Sequence, residues 1–298
     1  MAETPHASSI DAAEIEKFSA LAADWWNPSG PFGALHRLNP VRLRFIRDLA
    51  MRHFFPPPLA GEVSPKATVG GDAASPLSRA TRDSSPHRDR ETISDSKDAG
   101  RGAAGGGGAN KHQTLHGLTA LDLGCGGGLV SAPLARMGAR VTGLDASAEA
   151  IGAARAYAAE AGLEIDFRTG AAEALADTGA RFDLVAALEI IEHVADVGVF
   201  LRAASALVKP GGVLIVSTIN RTAKARALAI FGAERILKWA PEGAHDYDKL
   251  VRPEEIRAGA PDLRWDEPTG VTFEPLGRGW VLSRDVSVNY LIAGRKPD

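Results

Sequence analysis

Leu121-Asp122-Leu123-Gly124-Cys125-Gly126-Gly127-Gly128 closes a short apolar run that begins at Thr119 and leads into Leu129 to Met137, which reads as a helix. Glycines permit a tight turn and let a ligand approach the backbone closely. The stretch therefore predicts a strand, a binding turn and a helix at the carboxyl edge of a sheet. The same alternation continues downstream. Arg140 to Leu144, Glu164 to Arg168, Phe182 to Leu188 and Val213 to Thr218 read as strands, while Ser147 to Ala161, capped by Ser147, and Val199 to Val208 read as helices. Strands alternating with helices imply βαβ units and a parallel sheet covered on both faces. Val271 to Phe273 and Val286 to Gly294 add two strands expected to pair antiparallel at the sheet edge. The expected class is α/β, doubly wound, with a mostly parallel sheet and an antiparallel edge hairpin.

Asp145 ends the second strand 21 positions after Gly124, the spacing at which an acid accepts hydrogen bonds from ribose hydroxyls. A dinucleotide fingerprint needs Gly or Ala at the sixth place of G-x-G-x-x-G, and Leu129 stands there. Asp122, just before the first glycine, would repel a pyrophosphate but could hold an ammonium group. A nucleoside carrying an amino-acid moiety fits these residues better than a dinucleotide.

The chain around this motif is 298 residues long, 45% hydrophobic and 24% charged, with a net charge of −3, which excludes a wholly disordered or fibrous protein. That balance offers phosphate backbones no global attraction, and no clean basic patch stands out, so no nucleic-acid partner is expected. Cys125 is the single cysteine; it excludes an intrachain disulfide and structural zinc spacing, and it suits a reducing compartment. The acidic start, with Glu3, Asp11, Glu14 and Glu16, reads as neither signal nor transit peptide. The longest apolar runs fall short of the roughly 20 residues a bilayer span needs. A cytoplasmic protein whose membrane contact is at most peripheral, on the inner membrane face, is expected.

Residues 56–116 contain no aromatic residue, open with Pro56-Pro57-Pro58 and end near Gly105-Gly106-Gly107-Gly108. Such composition cannot bury enough apolar surface to offset its ordering entropy, so a disordered, solvated insertion is expected. It would divide an N-terminal helical portion, 1–55, from a core at 117–298. Within the first portion Asp11 to Trp26 and Asn39 to Phe55 read as helices, the second with Asn39 as N-cap and Pro40 at its first helical position.

Asp122 with Gly124 and Gly126, then Asp145, then Pro210-Gly211-Gly212 resemble the Rossmann-like, seven-strand class I methyltransferases that use S-adenosylmethionine. Two further stretches are more specific. Phe18-Ser19-Ala20-Leu21-Ala22-Ala23-Asp24-Trp25-Trp26 and Leu35-His36-Arg37-Leu38-Asn39-Pro40-Val41-Arg42 resemble the N-terminal signature of the ubiquinone biosynthesis O-methyltransferases, the 3-demethylubiquinol 3-O-methyltransferase family. Ser217 to Arg221, Gly243-Ala244-His245-Asp246 and Asp285 to Tyr290 resemble the same family. The resemblance implies cofactor contacts from Arg42, Gly124, Asp145 and Leu188, beside Asp122 and Gly126 of the turn. Leu188 stands where the family often carries methionine. Arg42 would bind the cofactor carboxylate as a fork donor; without the resemblance it reads as a solvated arginine on an amphipathic helix.

A phenol with pKa near 10 is only about one part in a thousand phenolate at neutral pH, so a phenol methylase must remove or weaken the hold on that proton. In a helical turn Glu189, Glu192 and His193 would share one face and could bind Mg²⁺, with the substrate's vicinal oxygens completing the shell. The competing chemistry is metal-free, with His193 or His245 as general base. A third reading leaves the turn as scaffold, and Glu189 could also hydrogen-bond the substrate hydroxyl. Arg221 to Trp239 mixes basic and large apolar residues. A lid over 221–250 that also touches anionic membrane is expected, or a cap over a soluble pocket. The resemblance implies O-methylation of polyprenyl catechols at two steps, 3-demethylubiquinol to ubiquinol and 2-polyprenyl-6-hydroxyphenol to 2-polyprenyl-6-methoxyphenol, with a ubiquinone biosynthetic complex as an expected partner. Methylation of another small phenol and a noncatalytic cofactor-binding role are the alternatives.

Overall fold

In a computed structural model of the chain, residues 8–56, 113–227, 247–274 and 279–298 are described. They begin with α1 (Ala12–Ala20), a 3₁₀ turn at Ala22–Asp24, and α2 (Gly33–Phe54). The expected first helix therefore stops at Ala20, capped by Leu21, and does not reach Trp26. The second starts seven residues earlier than the Asn39-Pro40 signal suggests, with Phe32 rather than Asn39 at its N-cap. Asn39 is no cap: it is buried, and its Nδ2 donates to Leu129 O at 2.7 Å. Pro40 removes one helical donor, yet the helix runs through it because tertiary packing of the apolar stripe outweighs that local loss.

The sheet region begins with β1 (Thr119–Leu123), α3 (Ser131–Arg136), β2 (Arg140–Asp145), α4 (Ala148–Glu160), β3 (Asp166–Thr169), α5 (Ala172–Asp177) and β4 (Phe182–Leu188). It continues with α6 (Val197–Ala206), β5 (Val208–Ile219), α7 (Ala223–Ala225), α8 (Pro253–Gly259), β6 (Arg264–Trp265), β7 (Thr269–Glu274), β8 (Gly279–Ser283) and β9 (Asn289–Arg295). Ser147 caps α4 as expected, its Oγ accepting from Ala150 N at 3.1 Å.

The order β3-β2-β1-β4-β5-β9-β7-β8, with β6 paired to β9, makes nine strands among the described residues rather than seven. β1 to β5 are parallel, and β9 lies antiparallel between β5 and β7. The expected edge pair is thus β7 with β9, extended by β8. β6 is two residues long and β8 is only half-buried, so neither presents the apolar run by which a buried strand is recognised.

Side chains alternate between two cores, as a period of two demands. Leu121, Val185, Leu214 and Ile292 face the core under α6 and α8; Ala120, Leu184, Ile215 and Leu291 face the core under α2 and α3. Leu38, Ile46 and Leu49 place the apolar stripe of α2 on that second core. Arg42, one turn from both Leu38 and Ile46, lies on the same inward face.

The expected insertion lies outside the described residues from 57 to 112, as do the greater part of the expected lid, 228–246, and His245. Chain that packs on the core resumes before 117, since Leu115 is fully buried and its N–H donates to Met137 O at 2.8 Å.

Candidate active site

The strand order reverses between β1 and β4, and the carboxyl ends of β1, β2 and β4 open there, where doubly wound sheets bind ligands. A cavity of about 240 Å³ fills this place. Arg42, Asp122, Gly124, Asp145, Leu188, Glu189, Glu192 and His193 all line it, and Gly126 follows Gly124 in the same turn. The structure thus gathers the expected site residues that it describes. α1 closes the cavity on its other side through Asp11, Glu14 and Phe18, which the sequence reading had not assigned to the site.

Asp145 ends β2. Its Oδ2 accepts from Gly126 N and its Oδ1 from Ser147 N, both at 2.8 Å. These bonds tie the glycine turn to the cap of α4 and orient the carboxylate. Burial raises the Asp145 pKa, and the backbone N–H groups work against that rise. Asp122 projects from β1 into the α2 side, where its Oδ2 accepts from Ser131 Oγ at 2.6 Å. Burial pushes its pKa up to about 6.

The glycine turn serves a side chain of this chain as well as any ligand. Gly126 has φ +50, and a Cβ placed there would fall 2.3 Å from the Trp25 ring; one on Gly127 would fall 2.5 Å from Trp25 Cβ. Trp25 stacks against Phe32 at 3.8 Å, and the adjacent Trp26 donates from Nε1 to Gly127 O at 2.9 Å. The paired tryptophans clamp the turn. Gly126→Ala combines left-handed backbone strain with overpacking and is expected to cost about 2–3 kcal/mol; urea unfolding within 0.5 kcal/mol of wild type, taking about that as the noise of such a comparison, would contradict this account.

Arg42 is 2% exposed, so the reading of a solvated arginine is overturned. Its Nη1 lies 3.9 Å from Glu189 Oε1, and Nη2 donates to Leu35 O at 3.4 Å. Desolvation works against its charge and lowers its pKa, and Glu189, Asp122 and Glu192 offset only part of that cost.

Glu189, Glu192 and His193 do not share a helical face. Glu189 has φ +54, the only positive φ at a non-glycine among the described residues, and only Ile191–His193 forms a 3₁₀ turn. Strained backbone of this kind persists where surrounding structure over-determines it, commonly at functional sites. Each side chain finds a different partner: Glu189 accepts from Ser217 Oγ at 2.7 Å, Glu192 from Thr218 Oγ1 at 2.9 Å, and His193 Nδ1 meets Glu14 Oε2 at 3.0 Å. No group of three or more His, Cys, Asp or Glu side chains among the described residues is placed to hold a metal ion. The expected triad does not fit one as arranged.

Burial, with the nearby Glu189 charge, pushes the Glu192 pKa up to about 8 from an ordinary 4.5. Between those values the folded protein binds a proton that the unfolded chain has lost. Its contribution to stability is therefore fully present below pH 4.5 and is lost as pH rises towards 8. Above the Asp122 value of about 6, Glu192 alone of these two carries the slope. From pH 6 to 8 the wild type is expected to lose stability more steeply than Glu192→Gln, by up to about 1.4 kcal/mol per pH unit. Parallel curves for the two proteins in urea would refute this.

Glu14 is drawn the other way: burial raises its pKa, but His193, Lys17 and Lys249 outweigh it and hold the carboxyl below its ordinary value. Lys249 Nζ reaches Asp11 Oδ2 at 3.1 Å and Glu14 Oε1 at 3.2 Å, joining α1 to the 3₁₀ turn at Tyr247–Lys249.

Comparison with known proteins gives consistent matches. A family model described as a methyltransferase domain matches residues 121–216. Proteins named ubiquinone biosynthesis O-methyltransferase from Sinorhizobium fredii and Sinorhizobium medicae are 43% and 44% identical to this chain over 299 residues, covering all of both chains. Among solved structures, a magnesium protoporphyrin IX methyltransferase from Synechocystis aligns with a TM-score of 0.46 at 23% identity, over 61% of this chain and 75% of that one.

Proposed function

The chain belongs to the ubiquinone biosynthesis O-methyltransferase family and is an S-adenosylmethionine-dependent O-methyltransferase; from that premise we propose that it methylates polyprenyl catechols, at both O-methylation steps of the pathway. One observation carries this reading. A single cavity is lined both by Arg42, Asp122 and Asp145, suited to an amino-acid nucleoside, and by Glu189 and His193, suited to a phenol.

When bound, S-adenosylmethionine supplies an electrophilic methyl group on a sulfonium sulfur. Asp145 would accept from the ribose hydroxyls, Asp122 would hold the ammonium, and Arg42 would pair with the carboxylate. Leu188, buried at the end of β4, would supply apolar contact. Glu189 would accept a hydrogen bond from one catechol hydroxyl and fix the ring. His193 would take the proton of the other hydroxyl. The Glu14 carboxylate accepts only, so in the neutral imidazole Nδ1 carries the hydrogen and Nε2 the lone pair. What these residues contribute is alignment and charge stabilisation, which an in-line displacement needs most. The three expected Mg²⁺ ligands, each turned to a different partner, do not fit an ion as arranged.

No helix among the described residues is long and apolar enough to cross a membrane. The basic-apolar composition of 221–239 supports peripheral contact with anionic lipid on the cytoplasmic face of the inner membrane, where a polyprenyl substrate and the other enzymes of its pathway would be met. Purified protein incubated with S-adenosylmethionine and a short-chain prenyl catechol is expected to yield the monomethyl ether by mass spectrometry, with and without EDTA. Absence of product from a protein that binds cofactor would refute the substrate class. Product that vanishes with EDTA and returns with Mg²⁺ would refute the metal-free account.

A further inference from the structure

Trp25 holds a polar hydrogen that its surroundings do not use. The residue is 8% exposed, it lines the cavity, and its Nε1 is buried with no hydrogen-bond partner among the described residues. An unmade hydrogen bond of this kind costs about 1–3 kcal/mol, so a buried orphan donor at a cavity wall points to a ligand acceptor. The ring cannot turn away to find another partner, being held between Phe32 on one face and the Gly126–Gly127 backbone on the other.

Arg42 presents the second orphan: its Nε is likewise buried and unpartnered, and it lines the same cavity. Both residues adjoin the amino-terminal end of α2. Trp25 stacks on Phe32, the residue that caps this helix, and the Arg42 guanidinium reaches Leu35 O three residues on. The amino-terminal end of a long helix adds partial positive charge at the same place. An uncharged N–H, a cationic fork and a helix amino terminus together select a compact anion with two acceptor oxygens, which is a carboxylate.

Resting on the methyltransferase reading above, we propose that Trp25 is a cofactor-binding residue whose Nε1 donates to the carboxylate of the cofactor's amino-acid moiety beside Arg42. Trp25 thereby gains a task beyond filling the space over the glycine turn, and cofactor binding becomes coupled to the seating of the N-terminal helices. The assignment also gives the adjacent tryptophans different work, since Trp26 already donates to Gly127 O.

The test is calorimetric titration of the full-length wild type and Trp25→Phe with S-adenosylhomocysteine and with 5′-methylthioadenosine. The second compound keeps the nucleoside and thioether but lacks the amino-acid portion. Trp25→Phe is expected to weaken S-adenosylhomocysteine by a factor of about 10–100, the size of one hydrogen bond to a charged group, and to leave 5′-methylthioadenosine within about twofold. Equal weakening of both ligands would mean that the ring only packs, and no weakening would mean that the N–H is not used; either result overturns the proposal. A wild type that binds neither compound would instead overturn the cofactor reading on which it rests. A measurement on the unaltered protein covers the case in which the variant does not fold. One of the indole N–H resonances of the five tryptophans is expected to move on adding S-adenosylhomocysteine and to stay on adding 5′-methylthioadenosine. Indole resonances that respond alike to both compounds would overturn the assignment.

Discussion

Arg42→Met is expected to lose about 3–5 kcal/mol of stability and all measurable affinity for S-adenosylhomocysteine. The buried guanidinium lies among the acidic side chains of Glu189, Asp122 and Glu192. Removing the cation leaves the acidic groups around it uncompensated, chiefly Glu189 and Asp122 at neutral pH since Glu192 keeps its proton up to about 8, and the penalty is their desolvation rather than the worth of a single contact. The exposed pairs elsewhere, such as Arg47 with Asp48, should cost under about 1 kcal/mol when broken. Arg42→Lys keeps the charge but not the fork, so it should restore much of the stability and little of the binding. Urea unfolding and calorimetry separate the two effects. Stability within about 1 kcal/mol of wild type in Arg42→Met would show that the carboxylates neutralise one another without it.

Arg42 also shows where sequence reading reaches its limit. An arginine at a position that fits the apolar stripe of α2 is ambiguous on a helical wheel; it became a site residue only through resemblance, and its burial follows from Asp122 facing the same side of the sheet. Strands were legible where both faces are buried. β1 and β4 match their expected bounds, Thr119–Leu123 and Phe182–Leu188, because continuous apolar runs end sharply in polar or glycine residues. β6 and β8 were missed, since an edge strand needs no such run. The cap signal at Asn39-Pro40 was real chemistry in the wrong place: Asn39 does satisfy a backbone carbonyl, but that of Leu129, 90 residues away. The reading of Glu189, Glu192 and His193 as one face assumed a helical turn, and the positive φ of Glu189 removes that premise. Glu14 left no local signal at all. Its role depends on α1 folding back over the carboxyl ends of the strands, and no spacing within one segment encodes that.

His193→Gln, at saturating cofactor, is expected to lower kcat by a factor of about 10²–10⁴, the usual range for a positioned general base, while cofactor affinity stays within about twofold. The sign of the pH dependence makes the test specific. Without a base the reaction must wait for free phenolate, and with a phenol pKa near 10 its population rises about tenfold per pH unit through the neutral range. The deficit of the variant should therefore shrink as pH rises, whereas a variant that merely misplaces the substrate would keep a constant ratio. Glu14→Gln leaves the imidazole in place but offers Nδ1 a neutral amide instead of a carboxylate, so the preferred tautomer and the stabilisation of the imidazolium are both weakened. Its kcat should fall between wild type and His193→Gln, and the double variant should be no slower than His193→Gln, because Glu14 acts only through the histidine. Additive losses in the double variant would assign Glu14 a separate task, such as the latch it forms with Lys249. A constant ratio across pH would remove His193 from proton transfer, and the base would then be sought at His245.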